Sequence, residues 1–235
     1  MSKFGSENVV TRERWLEKTI KKIPRGSKIL DAGAGELKYK YLCKNLKYVS
    51  QDFAQYNGGP DDVGLQTGKW DNSKIDIVSD IIKIPVEKES FDAIMCIEVF
   101  EHLPEPALAV KEFSRIIKKG GSLVLTAPFA SLTHFAPYYY ANGYSRFWYE
   151  EILEKNGFKI KEMTFNGNYF EYIAQELKRI RFVEAKYAGT KLSRNPIFRF
   201  AINVILEFLE KMSLKDKKSK ELLCFGIHIL AIKEK

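Results

Sequence analysis

Lys28-Ile-Leu-Asp31-Ala-Gly33-Ala-Gly35-Glu36 is the stretch that decides the architecture of this chain. A short apolar run ends in an acid, two glycines follow at once, and Glu36 to Asn45 carries helix-forming residues. That order reads as strand, tight turn, helix, the setting in which a Gly-rich turn brings backbone close to a nucleotide-like ligand at the carboxyl edge of a parallel sheet. A dinucleotide-binding GxGxxG would need glycine at position 38, which is Lys38. Asp31 would also repel a pyrophosphate, so a ligand carrying positive charge fits the turn better.

Moving outward, Thr11 to Ile23 reads as an amphipathic helix within an N-terminal segment 9–24, with Trp15, Leu16, Ile20 and Ile23 on one side and Pro24 beyond its end. Tyr48 to Asp52, Ile75 to Ser79, Phe91 to Ile97 and Ser122 to Ala127 read as further strands. Pro106 to Lys119 is a crossover helix that Gly120-Gly121 should stop. Strands alternating with crossovers imply a parallel sheet. The link from Gln55 to Lys74 carries Gly58, Gly59, Pro60, Gly64 and Gly68 and reads as a long ordered loop instead of a helix. Phe147 to Asn156 is a helix, Phe158 to Phe165 a strand and Leu222 to Lys233 the last strand. Between those two strands, residues 169–220 form an insertion with helices at Tyr169 to about Lys186 and Pro196 to about Met212. The expectation is one doubly wound α/β domain spanning 1–235.

Two further acids trace the ligand. Asp52 closes the second strand about 20 residues after the turn, where a carboxylate can accept from both hydroxyls of a ribose. Asp80 follows the third strand and can accept from an adenine amino group while the Ile81 N–H meets a ring nitrogen. S-adenosyl-L-methionine carries an ammonium and a sulfonium as well as adenosine, so Asp31 beside the turn suits it.

The stretches ILDAGAGE, VSQDF, IVSDI, FDAIMCIEVFEHLPEPALAVKEFSRIIKKGG and LVLTAP resemble class I, type 11 S-adenosylmethionine-dependent methyltransferases from about Lys28 to Phe165. The resemblance implies strand order 3-2-1-4-5-7-6 with the seventh strand antiparallel, and the donor over strands one and two. Within that family, THFAPYYYANGYSRFWYEEILEKNGF is similar to members found among enzymes of cell-surface glycan biosynthesis, which implies a small, sugar-linked acceptor. Glu36 replaces a third glycine common in the family.

Glu98-Val-Phe-Glu101-His102 follows the fourth strand, where the methyl group should lie. In the reading adopted, Glu98 positions the donor and His102 is a metal-free general base. A second reading gathers Glu98, Glu101, His102 and His134 around a divalent metal, as the similar ExxEH pattern does in ubiquinone-pathway and small-RNA methyltransferases. A third makes Glu101 and His102 caps of the next helix. His134 lies in the aromatic run Thr133 to Tyr140, facing the acceptor, and is the second candidate catalytic residue. His228 falls inside the last strand and reads as structural.

Composition narrows the remaining choices. With 45% hydrophobic residues the chain can bury one substantial core, and no apolar run reaches the length of a membrane span. Cys43, Cys96 and Cys224 lie far apart with no CxxC pair, which suggests neither a disulfide framework nor a zinc site and fits a reducing cytoplasm. Of the net charge of +8, seven come from Glu176 to Lys235, where 14 Lys/Arg face 7 Asp/Glu. The helix from Pro196 has Arg199, Asn203, Glu207 and Glu210 on one narrow stripe and apolar residues around the rest, so something must cover it: the protein's own core, a second copy in a homodimer, or lipid in a peripheral contact. Phe198, Phe200 and Phe208 are expected on its buried face, so no specific nucleic-acid partner is expected. RNA or protein acceptors, and a non-catalytic donor-binding subunit, are the alternatives.

Overall fold

The structure, a computed structural model, describes residues 3–58, 63–66 and 68–234. Seven strands form one sheet: β1 (Lys28–Ala32), β2 (Lys47–Asp52), β3 (Ile77–Val78), β4 (Phe91–Ile97), β5 (Ile117–Pro128), β6 (Phe158–Asn166) and β7 (Gly226–Lys233). Their order is β3-β2-β1-β4-β5-β7-β6, with β7 antiparallel to β5 and the pairs among β1 to β5 parallel. This is the seven-stranded, Rossmann-like methyltransferase arrangement that the family resemblance implies. Among the described residues five α-helices accompany it: α1 (Asn8–Ile20), α2 (Pro106–Ile116), α3 (Arg146–Lys155), α4 (Tyr169–Val183) and α5 (Pro196–Lys215).

Several local expectations are corrected. The helix expected over Glu36 to Asn45 is instead a series of turns with one 3₁₀ turn at Lys40–Cys43. Leu37 has φ of 61°, a left-handed conformation that breaks an α-helix as soon as it starts. The third strand shrinks to Ile77–Val78. Gly120-Gly121 does not stop α2: the chain becomes extended at Ile117, and pairing with β4 jumps from Phe91↔Ile117 to Ala93↔Ser122. Residues 118–121 are thus an excursion within the ladder, which Gly120 permits with φ of 79°. α1 begins three residues earlier than its apolar spacing suggests, and the last strand starts at Gly226 rather than Leu222. The link from Gln55 to Lys74 contains no helix among the described residues, and Gly59 and Pro60 lie outside them.

The chain folds as two compact units. The first, Glu13–Thr164 with Gly226–Lys235, holds the sheet. β1 and β4 are buried almost throughout, as the centre of a parallel sheet must be. Trp15, Leu16 and Ile20 pack in one cluster with Ile29, Ala93, Met95 and Val124. Phe100 is fully buried, its ring stacked 6.5 Å from Phe113 and 6.4 Å from Tyr149, with Trp148 edge-on at 5.9 Å.

The second unit, Met1–Arg12 with Phe165–Phe225, is helical. Asn168 caps α4 by accepting from Phe170 and Glu171 N–H, and Asn195 caps α5 by accepting from Ile197 N–H with Pro196 at the first helical position. Its small core joins Ala174, Leu206 and Leu209 with Phe4, Phe170, Ile173, Leu177 and Ile202. Only one face of α5 is used. Phe198, Phe200 and Phe208 are exposed, so the expectation that they are buried is overturned.

Phe100→Ala should lower stability by about 3–5 kcal/mol through the cavity left among three aromatic rings. Leu214→Ala, at an exposed position, should change it by less than about 0.5 kcal/mol. Urea unfolding followed by tryptophan fluorescence checks both.

Candidate active site

The carboxyl ends of β1 to β5 share one edge of the sheet, and every candidate residue lies on or just beyond it. At the end of β1, Asp31 is buried and its carboxylate accepts from the Tyr48 hydroxyl at 2.7 Å. Burial pushes its pKa up to about 7, against the lowering effect of the Tyr48 hydrogen bond and with help from the negative charge of Asp52. The turn is tied to β2: Gly33 and Ala34 N–H both donate to the Gln51 carbonyl at 2.9 Å, and Gly35 N–H donates to Asp52 Oδ2 at 3.0 Å. Asp52 Oδ1 accepts from Ala54 N–H at 2.8 Å, so this acid already holds two backbone donors.

Both glycines are needed for reasons beyond ligand approach. Gly33 has φ of 77°, and a Cβ there would lie 2.5 Å from the Val99 side chain. Gly35 has φ of 50°, and its Cβ would lie 2.6 Å from the Trp70 ring. Trp70, Tyr56 and Phe135 form an aromatic group, with Tyr56 and Phe135 stacked at 4.4 Å. Phe135 belongs to the aromatic run Thr133 to Tyr140, whereas Tyr56 and Trp70 do not stand out in the sequence, because an isolated aromatic in a Gly-rich loop carries no periodicity. Glu36 accepts from Asp71 N–H at 3.1 Å.

After β3, Asp80 is exposed and accepts from Ile82 N–H at 3.1 Å, while Ile81 is buried. After β4, Glu98 has φ of 56°; its carboxylate accepts from the Thr126 hydroxyl at 2.8 Å and its N–H donates to the Thr126 carbonyl.

Glu101 is the centre of the site. It is fully buried, and among the described residues neither carboxylate oxygen has a hydrogen-bond partner. The Nε2 atoms of His102 and His134 each stand 3.7 Å from its Oε1, with the two rings 4.6 Å apart. Each imidazole is oriented from behind: His102 Nδ1–H donates to the Tyr138 carbonyl at 2.6 Å, and His134 Nδ1–H to the Leu132 carbonyl at 2.8 Å. That leaves both Nε2 atoms turned toward the carboxylate. Tyr140 and Ala141 N–H donate to the Glu101 carbonyl, and Leu65 pairs with His134 in an isolated bridge, so loops after β2, β4 and β5 meet here.

The two histidines differ electrostatically. Burial holds His102 below the ordinary imidazole pKa, even though Glu101 works the other way. Burial would depress His134 too, but the Glu101 carboxylate and the Leu132 carbonyl outweigh it and raise the pKa. A proton therefore sits more readily on His134, beside Glu101, while His102 keeps a neutral Nε2. The capping reading of Glu101 and His102 is not what the structure shows, because they form a 3₁₀ turn and the N-cap of α2 is Glu105. Glu101, His102 and His134 are also the one set among the described residues whose ligand atoms lie close enough together to hold a metal ion. Two imidazoles fixed through Nδ1 and a buried carboxylate fit a divalent cation. Glu98, included in the four-residue reading of the sequence, is not in that set. His228 is buried in β7 beside Trp15, their rings 5.0 Å apart.

This edge, with its Gly-rich turn, acids after three successive strands and paired imidazoles, sits on a class I methyltransferase fold. Residues 30–125 match the family described as a methyltransferase domain. A ubiquinone biosynthesis O-methyltransferase of Xylella fastidiosa is 29% identical over 127 residues, 51% of this chain and 50% of that protein. A tRNA (carboxymethyluridine(34)-5-O)-methyltransferase of Arabidopsis thaliana is 29% identical over 110 residues, 46% of this chain and 25% of that protein. The chain thus spans half or less of the length of these curated relatives. A SAM dependent methyltransferase from Archaeoglobus fulgidus has the same fold, with a TM-score of 0.58 at 19% identity over 98% of this chain and 96% of the other.

Because its folded pKa exceeds the unfolded value, Asp31 makes the protein less stable as pH rises from about 4 to about 7. Asp31→Asn should therefore raise stability at pH 8 by roughly 1–3 kcal/mol, the gain shrinking toward pH 4. Thermal unfolding at the two pH values checks the sign.

Proposed function

We propose that this protein is an enzyme that moves a methyl group from S-adenosyl-L-methionine to an oxygen of a small acceptor. The observation that carries this reading is the Gly33–Gly35 turn, bonded to Asp52 and flanked by the buried Asp31 inside the matched methyltransferase domain. Two carboxylates at the turn suit a cationic ligand and repel a pyrophosphate. When bound, the donor supplies a methyl group on a sulfonium. Asp31 would face its ammonium, Asp52 its ribose hydroxyls, Asp80 and the Ile81 N–H its adenine, and Glu98 the region of the sulfonium. His102 would take the acceptor hydroxyl proton on Nε2. His134, its Nε2 turned toward Glu101, would position the acceptor. Transfer from a cationic donor dissipates charge, so positioning dominates over acid–base strength.

Oxygen is favoured over nitrogen because both curated relatives carry O-methyltransferase names. The glycan-linked acceptor expected from residues 133–158 finds no counterpart in those names. An RNA acceptor is the second reading, favoured by the tRNA relative alone. The three cysteines are buried, which suits a reducing cytoplasm.

Calorimetry should show binding of the donor and of its demethylated product. Asp52→Ala should weaken both by roughly 1.5–3 kcal/mol, and should also destabilise the fold because Gly35 and Ala54 N–H lose their acceptor. A wild-type protein that binds neither sinks the reading.

His102→Ala should lower turnover about 10²- to 10⁴-fold while donor affinity survives, and chelator should leave wild-type turnover intact. Loss of turnover with chelator, restored by a divalent cation, would instead assign Glu101, His102 and His134 to a metal. Full turnover by folded His102→Ala would remove this residue from the chemistry.

A further inference from the structure

We propose that the outward face of α5 is a docking surface for an anionic lipid membrane. Ile202, Leu206 and Leu209 turn toward the core of the helical unit. On the opposite side, successive turns present Ile197, Phe200, Val204 and Phe208, exposed by 74%, 71%, 50% and 57%. At 3.6 residues per turn these four form one stripe, and Lys211 and Lys215 continue it toward the C-terminus. The helix is therefore apolar on two faces, and the face away from the core has no covering within the unit.

The charges around the stripe select the occupant. Arg194 and Arg199 stand exposed at its start, and Lys215, Lys217, Lys218 and Lys220 at its end. Over residues 165–225, 12 Lys/Arg face 7 Asp/Glu. Glu207, the acid nearest the stripe, is already engaged with Lys211 at 2.7 Å. A row of large apolar side chains running into a basic cluster matches the acyl boundary and negative headgroups of an anionic leaflet. No helix among the described residues is long and apolar enough to cross a membrane, so α5 would lie along the surface.

A second copy fits less well. An antiparallel pairing about Val204 would set Phe200 of one copy against Phe208 of the other, but Lys211 against the apolar Ile197. At both ends of that pairing apolar surface would meet charge, and the lysines beyond Lys211 would gain no anionic partner. Lipid meets both halves of the stripe with complementary chemistry.

The test is co-sedimentation of the full chain with vesicles of phosphatidylcholine alone and of phosphatidylcholine mixed with phosphatidylglycerol. Partitioning should be at least about tenfold stronger to the anionic vesicles. The double variant Phe200→Asp, Phe208→Asp should lose it while keeping the wild-type melting temperature, since neither ring is buried. Lys211→Glu with Lys215→Glu should weaken binding, most clearly at low salt. Light scattering runs alongside. Vesicle binding equal for both lipids, or unaffected by the phenylalanine changes, overturns the proposal. So does a dimer that the phenylalanine variant dissociates without vesicle binding by the wild type, which would assign the face to a second copy. Binding of single-stranded RNA that the same variant abolishes, again without vesicle binding, would assign it to nucleic acid.

Discussion

A fully buried carboxylate that accepts no hydrogen bond among the described residues is the constraint around which this site is organised. Leaving Glu101 charged and alone in a low-dielectric interior would be worth several kcal/mol against folding. The two imidazoles aimed at its Oε1 answer that demand, with a proton on His134 or with a cation held jointly. The backbone of Glu101 is engaged as well, receiving two N–H groups from the loop after β5. One residue thus fixes the end of β4, the loop that carries His134 and the ring of His102. A change that removed its charge would disturb all three together.

The donor side shows a similar economy of parts. Asp52, at the end of β2, orders the turn after β1 through Gly35 and orders its own exit through Ala54. The same carboxylate is the candidate for ribose recognition, so structural and binding roles meet in one group. Glycine at 33 and 35 is explained by Val99 and Trp70, which press against the turn from the β4 side and from the long loop after β2. The turn is shaped by protein packing before any ligand arrives, which is what preorganised binding requires.

Much of this was legible in the residues alone. The acids after β1, β2 and β3, the apolar strands and the crossover from Pro106 carry strong local signals, and the strand order follows from the family resemblance. What failed were places where one residue's backbone overrides the pattern: Leu37 entering the left-handed region, and Gly120 taking an excursion inside a ladder. The relation between Glu101, His102 and His134 was half visible, because their proximity depends on a loop 30 residues further along the chain. The exposure of Phe198, Phe200 and Phe208 was misread because apolar periodicity marks which residues avoid water, and says nothing about whether their cover belongs to the same chain.

The raised pKa of Asp31 has a consequence for how any cation is captured there. Near neutral pH a good part of the population carries a proton on this carboxyl, held by desolvation and not by a partner. A positively charged group settling beside it favours the ionised form, so that proton must leave as the ligand enters. Capture is then an exchange of one cation for another, and its heat contains the ionisation enthalpy of whichever buffer collects the released proton.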